Sequence, residues 1–168
     1  MYTIISGTNR TGSNSLKVAK EYQRILKEKN AATKLLSLEG VNLMARDATF
    51  QKIEEEILIP ADKYIFIVPE YNGSFPGALK MLFDNVKPYN MWWHKKALLT
   101  GISTGRGGNT RGMDHLASIL NFLKITVHPN QLPISLVDKL MDAEGRFTDE
   151  PTLKLINQQL DSFIEWSK

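Results

Sequence analysis

The sequence predicts an α/β protein: a three-layer, doubly wound, five-stranded parallel sheet of order 2-1-3-4-5. Three observations predict it. Short apolar runs alternate with helical periodicity along all 168 residues, the pattern of a parallel sheet with helices on both faces. The third run, Tyr64-Ile65-Phe66-Ile67-Val68, has no polar alternation, as expected of a strand buried on both faces. Polar, glycine-bearing loops follow the first and third runs, and strands one and three flank the point where the order of such a sheet reverses and ligands bind.

Tyr2 to Ser6 reads as the first strand, and Val18, Tyr22, Ile25 and Leu26 then recur at helical spacing. Thr33 to Ser37 is the second strand. Phe50, Ile53, Ile57 and Leu58 mark a second helix, ended by Pro60, which has no N–H to continue it. After the third strand, Leu79, Leu82, Phe83 and Val86 line a helix, with Pro76 suited to its start. Ala97 to Ile102 is the fourth strand, and Met113, Leu116, Ala117, Leu120 and Leu123 form the apolar face of the next helix. Ile125 to Val127 is a short fifth strand closed by Pro129, and Leu153, Ile156, Leu160, Phe163 and Ile164 pattern a C-terminal amphipathic helix. No repeat or linker interrupts the chain, so residues 1–168 are expected to form a single domain.

Composition narrows the function. There are no cysteines, which excludes disulfides, thiolate nucleophiles and thiolate-held metals, so redox chemistry would need a bound cofactor. The three histidines lack ligand spacing and no metal site is expected. The net charge of +3 is spread along the chain without a basic run, which argues against nucleic acid as a partner. No apolar stretch reaches membrane-spanning length, and the N-terminus lacks the features of a signal peptide. The expected address is the cytoplasm, with no membrane partner.

Gly7-Thr8-Asn9-Arg10-Thr11-Gly12-Ser13-Asn14-Ser15 runs from the first strand into a helix. Bare N–H groups and the positive end of a helix dipole favour an anion there. Thr8, Ser13 and Ser15 add hydroxyls, and Arg10 adds a fork that matches phosphate. Ser13-Asn14 stands where a Walker loop requires Lys-Ser/Thr, and G-x-G-x-x-G is absent. The loop therefore suits one terminal phosphate. Capping of the helix alone would use the same residue types.

The third strand opens into Pro69-Glu70-Tyr71-Asn72-Gly73-Ser74-Phe75-Pro76-Gly77-Ala78-Leu79-Lys80. The two loops together resemble those of the NADPH-dependent FMN reductase family, flavodoxin-like proteins that include quinone, azo-dye and chromate reductases. The family pattern G-S-x-R-x-x-S-x-N is met by Gly7, Arg10 and Ser13, with Thr8 for the first serine and Ser15 where asparagine is usual. Its second pattern, P-E-Y-N-G-S-x-P-G-x-L-K, is matched throughout Pro69–Lys80. Ser103-x-Gly105-x-x-Gly108 resembles the loop after its fourth strand, and Asp142-Ala143-Glu144-Gly145-Arg146-Phe147 its turn before the last helix.

The resemblance implies FMN bound noncovalently, with its phosphate cradled by Thr8, Arg10, Ser13, Asn14 and Ser15. Pro69, Glu70, Tyr71, Asn72 and Gly73 would border the isoalloxazine ring, and Ser103, Gly105 and Gly108 would close the third side. It implies hydride transfer from NADPH or NADH to FMN and on to a quinone, azo, metal-oxyanion or flavin acceptor. The flavin carries the chemistry, so no side chain is assigned a catalytic role, and Glu70 is expected to position, its carboxylate capping backbone donors. A homodimer or homotetramer is implied. An electron-transfer carrier of the flavodoxin type and a flavin-binding protein without turnover are the alternatives.

Met91-Trp92-Trp93-His94 reads as an interface or core cluster ahead of a substrate platform, and Trp92-Trp93 is the candidate subunit contact. Arg106 and Arg111 flank the third loop; contact with a nicotinamide-cofactor phosphate is one reading, and surface arginines near glycines, which are commonplace, are the other.

Overall fold

A computed structural model describes residues 1–168, apart from the side chain of Pro88. Strands β1 (Tyr2–Ser6), β2 (Thr33–Ser37), β3 (Lys63–Pro69), β4 (Lys96–Ile102) and β5 (Thr126–Val127) stand in the order β2-β1-β3-β4-β5. All pair in parallel, with Ile4 opposite both Leu35 and Ile65, and Ile65 opposite Leu98. The predicted topology is the observed one.

Successive residues of a strand point to opposite faces, and here each face has its own core. Tyr64, Phe66 and Val68 turn to one side with Trp92, Leu99 and the helices α2 (Ala48–Ile53), α3 (Gly77–Asn85) and α5 (Thr110–Phe122). Ile65 and Ile67 turn to the other with α1 (Asn14–Glu28) and α6 (Glu150–Trp166), which contribute Val18, Tyr22, Ile156, Leu160 and Phe163. Burial on both faces is why β3 tolerates no polar alternation. Helices α1, α2 and α6 start at capping side chains: Ser13, Asp47 and Asp149 accept the N–H of Leu16, Phe50 and Thr152.

The fifth strand departs from expectation. It is cut short, and a sixth strand, β6 (Leu132–Ile134), returns to pair in parallel with the second half of β4. Two residues of β4, Leu98 and Leu99, face four of the other chain segment, His128–Gln131. Pro129 breaks the ladder there because it has no N–H to donate. Gln159 on α6 takes over: its Nε2 donates to the carbonyls of Leu99 and Asn130, at 3.0 Å each. Its Oε1 accepts the hydroxyls of Tyr22 and Thr100 at 2.8 and 3.1 Å. Burial pushes the Tyr22 hydroxyl up, so it stays protonated and remains a donor.

The second helix also differs. After Ile53 it widens to a π-helical turn, Glu54–Leu58, in which the Ile59 N–H reaches back to the Glu54 carbonyl. Pro60 offers no N–H to the Glu56 carbonyl, and Lys34 Nζ donates to it instead.

The Trp92-Trp93 segment follows the short helix α4 (Pro88–Met91) and precedes β4, at the end of the sheet opposite the carboxyl ends of the strands. Trp92 is fully buried, with ring centroids 5.0 Å from both Tyr64 and Phe83. Trp92 is therefore a core residue and no part of a subunit contact, and the segment is too remote from the β1 and β3 loops to be a substrate platform for them. The Asp142–Phe147 segment is a tight turn, as expected: Arg146 N–H donates to Asp142 Oδ1 at 2.8 Å, and Met141 bridges Phe147.

Candidate functional site

Three loops meet beyond the carboxyl ends of β1, β3 and β4. Between them lies a cleft of about 210 Å³ lined by Thr8, Arg10, Thr11, Ser13, Asn14, Ser15, Pro69, Glu70, Tyr71, Ile102, Ser103, Thr104 and Val137. A second cleft of about 280 Å³ shares Glu70, Ser103 and Thr104 with it and adds Asn72, Gly73, Gly105, Arg106 and Gly107. Of the thirteen residues the sequence singles out, the two clefts gather all except Gly108.

The first loop is anchored where Gly7 N–H donates to the Ile67 carbonyl, at 2.9 Å, extending the β1–β3 pairing by one bond. Ser13 Oγ accepts the Leu16 N–H at 3.2 Å. The hydroxyl hydrogen is not used in that bond, so capping leaves Ser13 free to donate to a ligand. Ser15 is buried, and the first turn of α1 carries no acidic residue to cancel the dipole.

The second loop is a two-residue hairpin. Asn72 and Gly73 both have positive φ, 51° and 76°, and Tyr71 and Ser74 exchange both backbone hydrogen bonds, 2.8 and 3.1 Å. Two consecutive left-handed residues make a type I′ turn, for which Asn-Gly is the preferred pair. The turn points its middle amides away from the hairpin ladder. Three side chains tether it: Tyr71 Oη shares a hydrogen bond with Thr8 Oγ1 at 2.7 Å, Ser74 Oγ shares one with His115 Nδ1 at 2.9 Å, and the Arg10 guanidinium lies 4.2 Å from the centre of the Tyr71 ring. The Thr8–Tyr71 bond ties the β1 loop directly to the β3 loop. One face of the Tyr71 ring is thus covered by a cation.

Glu70 is exposed, and its backbone N–H donates to the Ile102 carbonyl at 2.9 Å. Its carboxylate accepts no hydrogen bond among the described residues, so the capping role expected of it is not seen. It stands instead over Gly107, with Oε2 3.1 Å from where a β-carbon would lie.

Ser103 and Gly108 hold the third loop together. Ser103 Oγ donates to the Gly105 carbonyl and accepts the Gly108 N–H, both at 2.9 Å. Gly108 is buried and faces Pro133 of β6 rather than a cleft; a β-carbon on Gly101 would lie 2.2 Å from the Gly108 carbonyl oxygen. This close approach of two backbones sets how near the third loop comes to β4.

Asn109 completes the loop and escaped sequence reasoning. It adopts φ of 59°, and its Nδ2 donates to the carbonyls of Val68 and Pro69, at 3.0 Å each. It thereby satisfies the end of β3 just before Glu70. Its signal is an asparagine after two glycines at the start of a helix.

Residues 2–138 match the sequence profile of NADPH-dependent FMN reductases. The chain belongs to this family. An NAD(P)H-dependent FMN reductase of Pseudomonas aeruginosa is 32% identical over 174 residues, covering 96% of this chain and 92% of that protein. A quinone reductase of Escherichia coli K12 is 30% identical over 172 residues, covering 95% and 91%. Among solved structures, the flavoenzyme NAD(P)H:(acceptor) oxidoreductase FerB of Paracoccus denitrificans superposes with a TM-score of 0.78 at 24% identity, covering 99% of this chain and 96% of that one. That likeness shows the family's flavodoxin-like fold in this chain, and the FMN reductase membership rests on the sequence matches.

Proposed function

We propose that residues 1–168 act as one FMN-binding unit in which the first cleft holds the cofactor. The chain is an FMN-dependent NAD(P)H oxidoreductase. The observation that carries the placement is the junction of the β1 and β3 loops, Thr8 to Tyr71 at 2.7 Å, which brings the start of α1 and the Tyr71 end of the hairpin to one cleft.

The residues present suit the group. The α1 N-terminus, Arg10 and the hydroxyls of Thr8, Ser13 and Ser15 offer cationic and donor chemistry with no carboxylate in the first turn, as a phosphate dianion requires. Pro69 and Tyr71 give the same cleft apolar surface for a flat ring. Asn72 and Gly73 keep amides beside the second cleft, where donors favour a ring edge that gains negative charge. When bound, FMN supplies two-electron chemistry, accepting hydride from NAD(P)H and returning it to an acceptor. The chain's own part is to bind, orient and shield. Ser103 and Asn109 fix the loops that border the ring, and Ile102 and Val137 exclude water from its inner edge. Glu70 sits at the lip shared by the two clefts as a positioning residue.

No helix among the described residues is long and apolar enough to cross a membrane. We assign the protein to the cytoplasm, where its electron donor is made, and its acceptor to the small quinone-like molecules named in its relatives. A homo-oligomer is part of the proposal. An apolar groove of about 290 Å³ between α3 and α5, beside an almost fully exposed Phe122, supports it.

The test is direct. Purified protein dialysed with FMN should be yellow and should oxidise NAD(P)H when a benzoquinone is added. Protein that takes up no flavin, or that binds flavin and leaves NAD(P)H unoxidised with every acceptor, would contradict the proposal. Sedimentation should show more than one chain per particle at micromolar concentration.

A further inference from the structure

A two-residue hairpin is marginally stable by itself, so its surroundings set its tilt. The hairpin of residues 71–74 is held at its two ends from different elements. The Tyr71 end is tied to the β1 loop through Thr8 and Arg10. The Ser74 end is tied to α5, where Ser74 Oγ and His115 Nδ1 share a hydrogen bond at 2.9 Å. Among the described residues this is the only side-chain hydrogen bond made by Asn72, Gly73 or Ser74.

The same helix grips the β3 loop at its other end. Asn109, just before α5, donates from Nδ2 to the carbonyls of Val68 and Pro69, at 3.0 Å each. Between the two grips, Arg111 Nη1 lies 3.1 Å from where a β-carbon on Gly73 would be. Residues 109–115 thus brace the loop from Val68 to Ser74, with Glu70–Gly73 held in the middle. The helix itself is fixed, because its Met113, Leu116 and Leu120 are buried in the core. A side chain carried by a packed helix sets a position more sharply than one carried by a loop.

We infer that His115 is a positioning residue for the reaction: through Ser74 it fixes the tilt of the Asn72–Gly73 turn, whose amides serve the flavin-ring edge that gains negative charge. The inference rests on the proposed flavin site. His115 lines neither cleft, so it acts only through Ser74. Without the bond the turn pivots about its Tyr71 end and the amides lose their aim, a loss that falls on turnover as well as on binding. The bond can run either way, from the Ser74 hydroxyl to a bare Nδ1 or from Nδ1–H to Ser74 Oγ. Asparagine places an amide where histidine has Nδ1, can serve in either sense, and has a similar helix propensity.

The experiment compares wild type with His115→Ala, Ser74→Ala, the double variant and His115→Asn. His115 is exposed, so its variants should fold. The FMN dissociation constant should rise about threefold in each single alanine variant, as for one solvent-facing hydrogen bond. The kcat for benzoquinone reduction, at saturating FMN and NAD(P)H, should fall by a similar factor of about three. The double variant should be no worse than either single one, and His115→Asn should regain most of both losses. A bond that only stabilises the fold would lower the melting temperature and leave kcat at saturation untouched. Wild-type kcat in His115→Ala, additive losses in the double variant, or an asparagine variant no better than alanine would each overturn the inference. The NMR resonance of His115 Nδ1 in flavin-free protein tests the bond by itself: it should move in Ser74→Ala, and an unmoved resonance would also overturn the inference. The two proposals fail separately. No flavin uptake, with an Nδ1 resonance that depends on Ser74, would sink the flavin site and leave the brace standing, whereas turnover indifferent to residue 115 would sink this inference alone.

Discussion

The bond between Thr8 and Tyr71 is the one side-chain hydrogen bond between the β1 and β3 loops among the described residues, beside the Arg10–Tyr71 ring contact, and a double-mutant cycle isolates it. Thr8 is 1% exposed and its Oγ1 lies 2.7 Å from Tyr71 Oη; its only other hydrogen-bond partner among the described residues is the Arg10 N–H, at 3.4 Å. Tyr71→Phe therefore leaves a buried hydroxyl with one weak partner, at a cost of about 1.5 kcal/mol. Thr8→Val leaves the half-buried Tyr71 hydroxyl open to water and costs less, about 1 kcal/mol. Because a ligand touching both loops needs them in register, about 1 kcal/mol also appears as roughly a fivefold rise in the FMN dissociation constant. The double variant has nothing left unpaired, so it should be no worse than Tyr71→Phe, giving a coupling of about −1 kcal/mol. Urea unfolding without flavin and quenching of FMN fluorescence measure the two quantities. Strictly additive costs in both would show that the bond does not join the loops in solution.

Ser13→Ala should cost about 1 kcal/mol of stability through loss of the α1 cap, with Ser13→Gly losing only a few tenths; thermal melts distinguish them, at roughly 3 °C per kcal/mol. Gly101→Ala should be far more disruptive, about 3 kcal/mol, because its methyl would lie 2.2 Å from the Gly108 carbonyl oxygen, a backbone atom that cannot turn aside; FMN affinity should fall with it as the third loop is pushed away. His128 gives a pH dependence. It is buried between Phe163 and Trp166, and burial holds its pKa below the ordinary 6.5. The unfolded chain thus takes up a proton near pH 6.5 that the folded chain refuses, so stability is whole above that pH and declines as pH falls below it. Urea midpoints at pH 7.5 and 5.5 should show a smaller acid loss in His128→Gln than in wild type; equal losses would refute the assignment.

Much of the fold was legible because it rests on local chemistry. Tyr64–Val68 is β-branched and aromatic with no polar break, and only a strand between two helical layers buries such a run. The Asn72-Gly73 turn follows from the positive φ that asparagine and glycine accept. The hidden parts depend on contacts distant in the chain. Leu132–Ile134 contains a proline and reads poorly as a strand, and it becomes one because Gln159, on the last helix, satisfies the carbonyls stranded by the break at Pro129. Trp92 reads as surface or core equally well until Tyr64 and Phe83 are seen to close around it. At the site, the hydroxyl and aromatic residues could be named, but which of them face a ligand and which serve the scaffold could not. Ser103, Gly108 and Asn109 are fixed by β3, β4 and β6, and no spacing in the sequence reveals those neighbours.

A crystal structure of the full chain grown with FMN would examine the proposed site most directly. The phosphate is expected within hydrogen-bonding distance of residues 8–15, with the ring against Pro69–Gly73. Density for FMN on any other surface, with the cleft beyond β1 and β3 holding only solvent, would refute the placement.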